Sequence, residues 1–232
     1  MRKADLDELL SAQRSRRPVA LVTWLATGAQ SLVWPGEALA PLELAAAVAE
    51  AFRTDRSGVV VLPDAGEAFV HVHNPPLRMV LIGAVHISQA LIPMAQQAGY
   101  ELIVVDPRTA FATADRFPGV SIDARWPDEA LPAIGLDRRT AFIALTHDPK
   151  IDDPALTLAL GASCFYVGAL GSGRTHAKRR ERLQAQGIAA DALARIHAPI
   201  GLDIGAIGAT EIAIAIMAEV TACLRGKAVR RP

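Results

Sequence analysis

Apolar positions along this chain repeat with different periods, and each change of period marks an element. From Met79 to Ile82 four apolar residues follow one another without a polar interruption, the pattern of a strand buried on both faces of a parallel sheet. Gly83 ends that run. Ile87, Leu91, Met94, Ala95 and Ala98 then fall at helical spacing up to Gly99. A second short apolar run follows, Leu102-Ile103-Val104-Val105, with Asp106 at its tip. Further on, Val120-Ser121-Ile122, Thr140 to Leu145 and Cys164 to Val167 read as a third, fourth and fifth strand. A short helical stretch is expected after Pro107-Arg108 and a brief helix between Trp126 and Gly135. Asp152 or Asp153 is expected to cap the next helix, with Pro154 in its first turn. The basic stretch Ala177 to Gln186, a segment from Asp191 to Ile196 and the largely apolar Thr210 to Leu224 complete the helices, and the last should pack against the sheet.

The first third of the chain keeps a different rhythm. Leu6, Leu9, Leu10 and Gln13 share one face of a helix that ends in the basic run Arg14 to Arg17, where cations answer the helix dipole. Val19 to Trp24 and Gln30 to Trp34 read as strands joined at Thr27-Gly28. Pro41 opens an alanine-rich helix that runs to about Asp55, and Gly58 to Leu62 and Ala68 to Val72 form another hairpin. Asn74-Pro75-Pro76 is a stiff linker. It sets the expected boundary between a small N-terminal α/β domain, residues 1–77, and a larger domain, residues 78–232.

In the larger domain the order strand, glycine turn, helix, glycine, strand, acidic residue is that of an opening Rossmann βαβ unit. The expected fold class is therefore α/β, a Rossmann-like doubly wound parallel sheet behind a small N-terminal α/β domain. Ligands of such sheets bind beyond the carboxyl ends of the strands, where strand order reverses. The loops after strands one, four and five would meet there, bringing together His86, the Thr146-His147-Asp148 triplet and the turn from Gly171 to His176.

Composition narrows the partners. The chain has 232 residues, 24 Lys+Arg and 24 Asp+Glu, so no overall field recruits nucleic acid or a membrane surface. Any anion selectivity must be local. The two cysteines, Cys164 and Cys223, make neither a disulfide framework nor a zinc spacing. The N-terminus turns acidic where a signal peptide would turn apolar, and no apolar run reaches membrane-spanning length; the expected location is cytoplasmic.

The candidate chemistry lies in the loops. Gly83 matches the first glycine of G-x-G-x-x-G/A, but Val85 and Ser88 stand where the second and third would be, and a valine there crowds the approach of a pyrophosphate. NAD(P) is thus allowed by the fold, with Asp106 at the ribose position, and disfavoured by Val85. Leu170-Gly171-Ser172-Gly173-Arg174-Thr175 offers backbone N–H groups, hydroxyls and a guanidinium at a helix start, the parts of a phosphate cradle or of an ordinary glycine-rich turn. Lys178, Arg179, Arg180 and Arg182 behind it read mostly as a solvated face or a partner patch. His147 and Asp148 could act as an acid–base pair or hydrogen-bond a heterocycle. His71 and His73 share a strand face that could hold a metal, but no third ligand stands nearby, and no metal site is assigned. Cys164, at the start of an apolar strand, reads as buried and unreactive.

Several segments of the larger domain resemble the xanthine dehydrogenase accessory proteins, the XdhC/CoxI family. They are Val104-Val105-Asp106-Pro107-Arg108, Leu145-Thr146-His147-Asp148, Phe165 to His176 with Arg180, Arg182 and Leu183 behind it, and Arg195 to Ala206. The likeness spans roughly residues 75–225 and is that of a short-form member. It implies a factor that binds the molybdenum (pyranopterin) cofactor, molybdopterin, and assists its maturation and insertion into a molybdenum hydroxylase such as xanthine or CO dehydrogenase. The cofactor-binding positions it implies, joined to those read above, are Gly83, His86, Asp106, Arg108, Thr146, His147, Asp148, Gly171, Ser172, Arg174, Thr175 and His176. The expected partners are the hydroxylase apoenzyme and, beside it, a cysteine desulfurase or a second accessory protein; a homodimer stays open. Three departures qualify the match. Val85 replaces the second glycine of the first turn, Gly173 stands where relatives often carry arginine, and residues 1–77 hold no cysteine for cofactor ligation. Two other functions remain as alternatives. One is an NAD(P)-dependent oxidoreductase, with His147 and Asp148 as its acid–base pair. The other is a scaffold that docks on the molybdoenzyme without a ligand.

Overall fold

A computed structural model describes residues 2–227, which fall into two compact units divided between Pro75 and Pro76. The first contains helix α1 (Lys3–Arg14), strands β1 (Val19–Trp24) and β2 (Gln30–Val33), helix α2 (Leu42–Thr54), and strands β3 (Gly58–Leu62) and β4 (Gly66–His73). Its antiparallel sheet runs β2-β1-β4-β3. Alternation sends Ala20, Val22, Ala68 and Val70 toward Leu44, Val48 and Ala51 of α2, where they form a core of their own. On the opposite face the His71 and His73 rings lie 4.1 Å apart, and burial, then His71, pulls the His73 imidazole below the usual histidine range. No group of three metal-ligating side chains occurs among the described residues.

The second unit opens with β5 (Arg78–Ile82), α3 (His86–Gln97) and β6 (Glu101–Val105). It continues through β7 (Ser121–Asp123), α4 (Pro127–Ile134), β8 (Thr140–Ala144), α5 (Pro149–Gly161), β9 (Tyr166–Ala169) and α6 (Gly173–Ala185). The short α7 (Ala190–Ala194) and β10 (Ile196–His197) follow, then α8 (Ala209–Leu224). All six strands are parallel, in the order β10-β9-β8-β5-β6-β7, the doubly wound arrangement with its reversal between β5 and β8. Because side chains alternate along a strand, Met79, Leu81, Ala141 and Ile143 pack toward α3 and α8. Val80, Ile82, Phe142 and Ala144 pack toward α4, α5 and α6. Every residue of β5 and β8 is buried, which is why Met79–Ile82 and Ala141–Ala144 read as unbroken apolar runs. Among the described residues, no helix is long and apolar enough to cross a membrane.

Four local expectations are corrected. The segment after Arg108 forms turns rather than a helix, held by Arg116, whose Nη1 donates to the carbonyls of Ala84 and Phe111. The cap of α5 is Asp148, which accepts from Lys150 N at 2.9 Å, with Pro149 at the first helical position and Pro154 inside the helix. Asp152 and Asp153 are buried instead. The Asp191–Ile196 helix stops at Ala194, and Ile196-His197 adds a sixth strand. Finally, Arg179 is buried rather than solvated, and Arg182, though partly exposed, is held in a two-bond pair with Asp153.

Candidate functional site

The loops after β5 and β8 come into contact at the reversal point. Gly83 has φ +116°, and a Cβ there would stand 2.8 Å from Thr146 Cγ2. Glycine is therefore required at this position by the neighbouring loop as well as by backbone conformation. Thr146, His147 and Asp148 form a turn around one buried carboxylate. Asp152 Oδ1 accepts from the Thr146 hydroxyl at 2.6 Å, and Asp152 Oδ2 accepts from His147 N at 3.0 Å. The Thr146 hydroxyl in turn accepts from Asp148 N at 3.1 Å. Burial pushes the Asp152 carboxyl up, against the lowering effects of Thr146 and of Arg179. His147 sits at φ +62°, a left-handed conformation that costs a non-glycine residue roughly 1 kcal/mol or more and persists only where surroundings enforce it. Asp152 is that enforcement.

His147 stands between two cavities. The larger, about 570 Å³, is mainly apolar and is lined by His147, Leu170, Gly171, the loop from Ala198 to Ile204 and residues of α8, notably Ile212 and Ala215. The smaller, about 280 Å³, is lined by His147, Arg174, Thr175, Lys178, Arg179 and Arg182, with Asp152 and Pro149. The loop between β9 and α6 separates them. Gly171 has φ +136°, and a Cβ there would meet Thr175 Cγ2 at 3.0 Å. Ser172 caps α6 by accepting from Thr175 N at 3.2 Å, so part of the N–H set expected to be open is already taken.

The loop of residues 198–204 was not among the site positions read from the sequence, and a second buried carboxylate holds it. Glu219 of α8 is fully buried. Its Oε2 accepts from Gly201 N at 2.8 Å and from the Tyr166 hydroxyl at 2.6 Å, and its Oε1 lies 3.1 Å from His197 Nδ1. The imidazole's Nε2 is 3.8 Å from Cys223 Sγ. A single acidic residue within the apolar run Ile212 to Val220 was the available signal, since a buried carboxylate demands partners. Gly201, at φ +89°, lets the loop approach α8, where a Cβ would stand 3.0 Å from Ala215.

The remaining expected positions lie elsewhere. Asp106 is fully buried: Oδ2 accepts from Ala84 N at 2.7 Å and from Arg108 Nη2 at 2.8 Å, and Oδ1 accepts from Arg108 N and Nε. Burial alone would raise its carboxyl, but the Arg108 guanidinium and these N–H groups outweigh it and hold the group below the usual carboxylate range. Its oxygens are occupied by the chain itself. His86 and Arg108 line a third cavity, about 410 Å³, with Val85, Phe111 and Arg116. The expectation of one crevice gathering all three loops is thus corrected: Gly83 and Thr146 touch, but His86 and His147 face different spaces. Cys164 is buried in the core with its thiol pushed up to about 11, chiefly by burial. No cysteine lines any of these cavities.

The family described as the XdhC Rossmann domain matches residues 79–220. The uncharacterised protein YqeB of Escherichia coli K12 is 31% identical over 152 residues, covering 66% of this chain and 28% of YqeB. A probable xanthine dehydrogenase subunit from Bacillus subtilis 168 is 29% identical over 153 residues, 66% of this chain and 44% of that protein. The molybdenum cofactor insertion chaperone PaoD of E. coli K12 is 31% identical over 147 residues, 63% of this chain and 40% of PaoD. The chain therefore spans less than half the length of these curated relatives. A crystal structure of a xanthine dehydrogenase from Bacillus halodurans superposes with a TM-score of 0.69 over 96% of this chain and 67% of that one. At 22% identity, that likeness concerns the fold.

Proposed function

The chain belongs to the XdhC family, and from that premise we propose that it is an accessory factor: it binds the molybdenum cofactor and assists its maturation and insertion into a molybdenum hydroxylase. The observation that carries this reading is the apolar cavity of about 570 Å³ beyond β8, β9 and β10, entered beside a histidine held in a fixed, strained conformation. Its volume falls in the range of small-molecule sites, and its mainly apolar wall with one imidazole suits a flat heterocycle that needs a few directed hydrogen bonds. His147, Gly171 and the 198–204 loop would hold the ring system there.

This chain's contribution is to bind and orient. Asp152 fixes the His147 backbone and Glu219 fixes the loop opposite, so both walls are set before a ligand arrives. With no thiol at the cavity, sulfur for the cofactor would come from another protein, a cysteine desulfurase or a second, cysteine-bearing accessory factor. The apo-hydroxylase is the proposed recipient, and the cytoplasm the proposed site of the hand-over. The oxidoreductase alternative is weakened by Val85 and further by the buried Asp106–Arg108 pair, which leaves no carboxylate oxygen for a ribose.

The test is direct. Protein purified from a host that makes the cofactor should release a fluorescent oxidised pterin on denaturation, in an amount that falls when the cavity is blocked by Gly171→Leu. Purified protein that carries no pterin, yet activates the hydroxylase as well as before, would support the ligand-free scaffold instead.

A further inference from the structure

The smaller cavity, about 280 Å³, differs in chemistry from its neighbour. Arg174, Lys178 and Arg182 follow one another at i, i+4 and i+8 along one flank of α6, with Thr175 and the buried Arg179 beside them. Arg179 is only 2% exposed, and of its three guanidinium nitrogens Nη2 alone has a hydrogen bond, to Leu170 O at 2.8 Å. Nε and Nη1 are without a partner. The Asp152 carboxylate lies 3.9 Å from Nη2, too far for a hydrogen bond, and already serves Thr146 and His147. Buried donors are rarely left unmet in a folded protein, so a buried arginine with two idle nitrogens beside a cavity calls for an acceptor that the chain itself does not supply. Four cations and one carboxylate, Asp152, line the cavity, and even with Arg182 paired to Asp153 the lining carries an excess of positive charge. It opens beside the first turns of α6, whose dipole adds to that field.

We propose that this cavity is a subsite for a phosphate monoester, the dianionic end of a ligand whose rings occupy the apolar cavity on the other side of His147. The placement of the rings rests on the cofactor-carrier reading; the phosphate subsite rests on Arg179 and its neighbours alone. A dianion matches the charge excess better than the singly charged diester links of a dinucleotide. Arg179 lies in the wall of this cavity and the exposed Arg174 and Lys178 stand at its mouth, three cationic donors of the kind that suit phosphate oxygens.

The experiment uses the full chain and inorganic phosphate as probe, followed by calorimetry and thermal denaturation against chloride at equal ionic strength. Phosphate is expected to raise the melting temperature of the wild type. Arg174→Ala and Lys178→Ala should each weaken phosphate roughly tenfold, the loss of one charge-assisted hydrogen bond. Arg180→Ala, on the same helix but outside the cavity, should change nothing. Arg179→Lys keeps the charge and loses the fork, and should weaken phosphate if it folds; the two mouth variants decide the matter if it does not. Absence of a phosphate effect in the wild type, or an Arg180→Ala loss equal to that of Arg174→Ala, would overturn the subsite. Two further ligands separate the sources of the phosphate. A pterin phosphate that binds well above inorganic phosphate, with adenosine monophosphate no better than it, assigns the subsite to the carried cofactor. The reverse order keeps the subsite and gives it to a nucleotide. Phosphate binding without co-purified pterin likewise sinks the carrier reading alone, and co-purified pterin without phosphate binding sinks the subsite alone.

Discussion

His147 and Asp106 illustrate how much of the behaviour turns on single side chains. As a binding element, His147 needs only to donate or accept one hydrogen bond, and glutamine keeps both capacities. His147→Gln should therefore retain most activation of the target hydroxylase in a host lacking its own accessory factor, whereas His147→Ala should weaken cofactor binding by about 1 kcal/mol. If both variants lose activation while pterin still co-purifies, the site performs proton chemistry and the protein is more than a carrier. Asp106 makes a prediction about acid. Its carboxyl is held low in the folded protein, so its stabilising effect is fully present above the unfolded value near 4 and disappears as pH falls through the folded value. Asp106→Asn should cost about 1–3 kcal/mol at pH 7, and the gap in melting temperature from wild type should narrow as the pH falls below the unfolded carboxylate value of about 4. Cys164 gives the simplest check: with its thiol at about 11 and its side chain in the core, a thiol reagent at neutral pH should leave it unlabelled until the protein is unfolded.

Among the elements, the strands and helices of the doubly wound sheet were legible because each obeys one period over several residues. Met79–Ile82 and Thr140–Ala144 could hardly be read otherwise. What the pattern concealed were residues whose partners come from another element. Asp152 followed by Asp153-Pro154 has the look of a helix start, yet it is the anchor of the preceding turn. Arg179 and Arg182 lie in a run of cations that resembles a solvated face, because nothing in a local window reveals Leu170 O or Asp153 facing them. The pair Ile196-His197 is too short to show any period at all. Of the candidate site, the His147 turn and the Gly171 turn were readable, while the 198–204 wall was not, since its tether is Glu219, eighteen residues beyond Gly201. The contact between the β5 and β8 loops is testable in isolation. Gly83→Ala must both adopt φ +116° and displace Thr146, and should cost about 1–3 kcal/mol with loss of the His147 geometry, read as a lower melting temperature and weaker ligand binding.

For the molecule as a whole, each compact unit has apolar cores of its own, one under α2 and a smaller one under α1 in the first, and two on the faces of the parallel sheet in the second. Residues 76–232 should therefore fold alone with a single cooperative thermal transition; a molten fragment without one would show that the first 75 residues are needed to complete it. Within that unit, α8 supplies Ile212 and Ala215 to the large cavity and, through Glu219, holds the loop facing them. The helix is encoded after every strand of the sheet. During translation, then, the six strands and the His147 turn can be complete while the cavity still lacks a wall. The cavity is walled only once the chain has been released up to Glu219, so the ligand proposed for it would meet a finished site only in chains whose unit has been made in full.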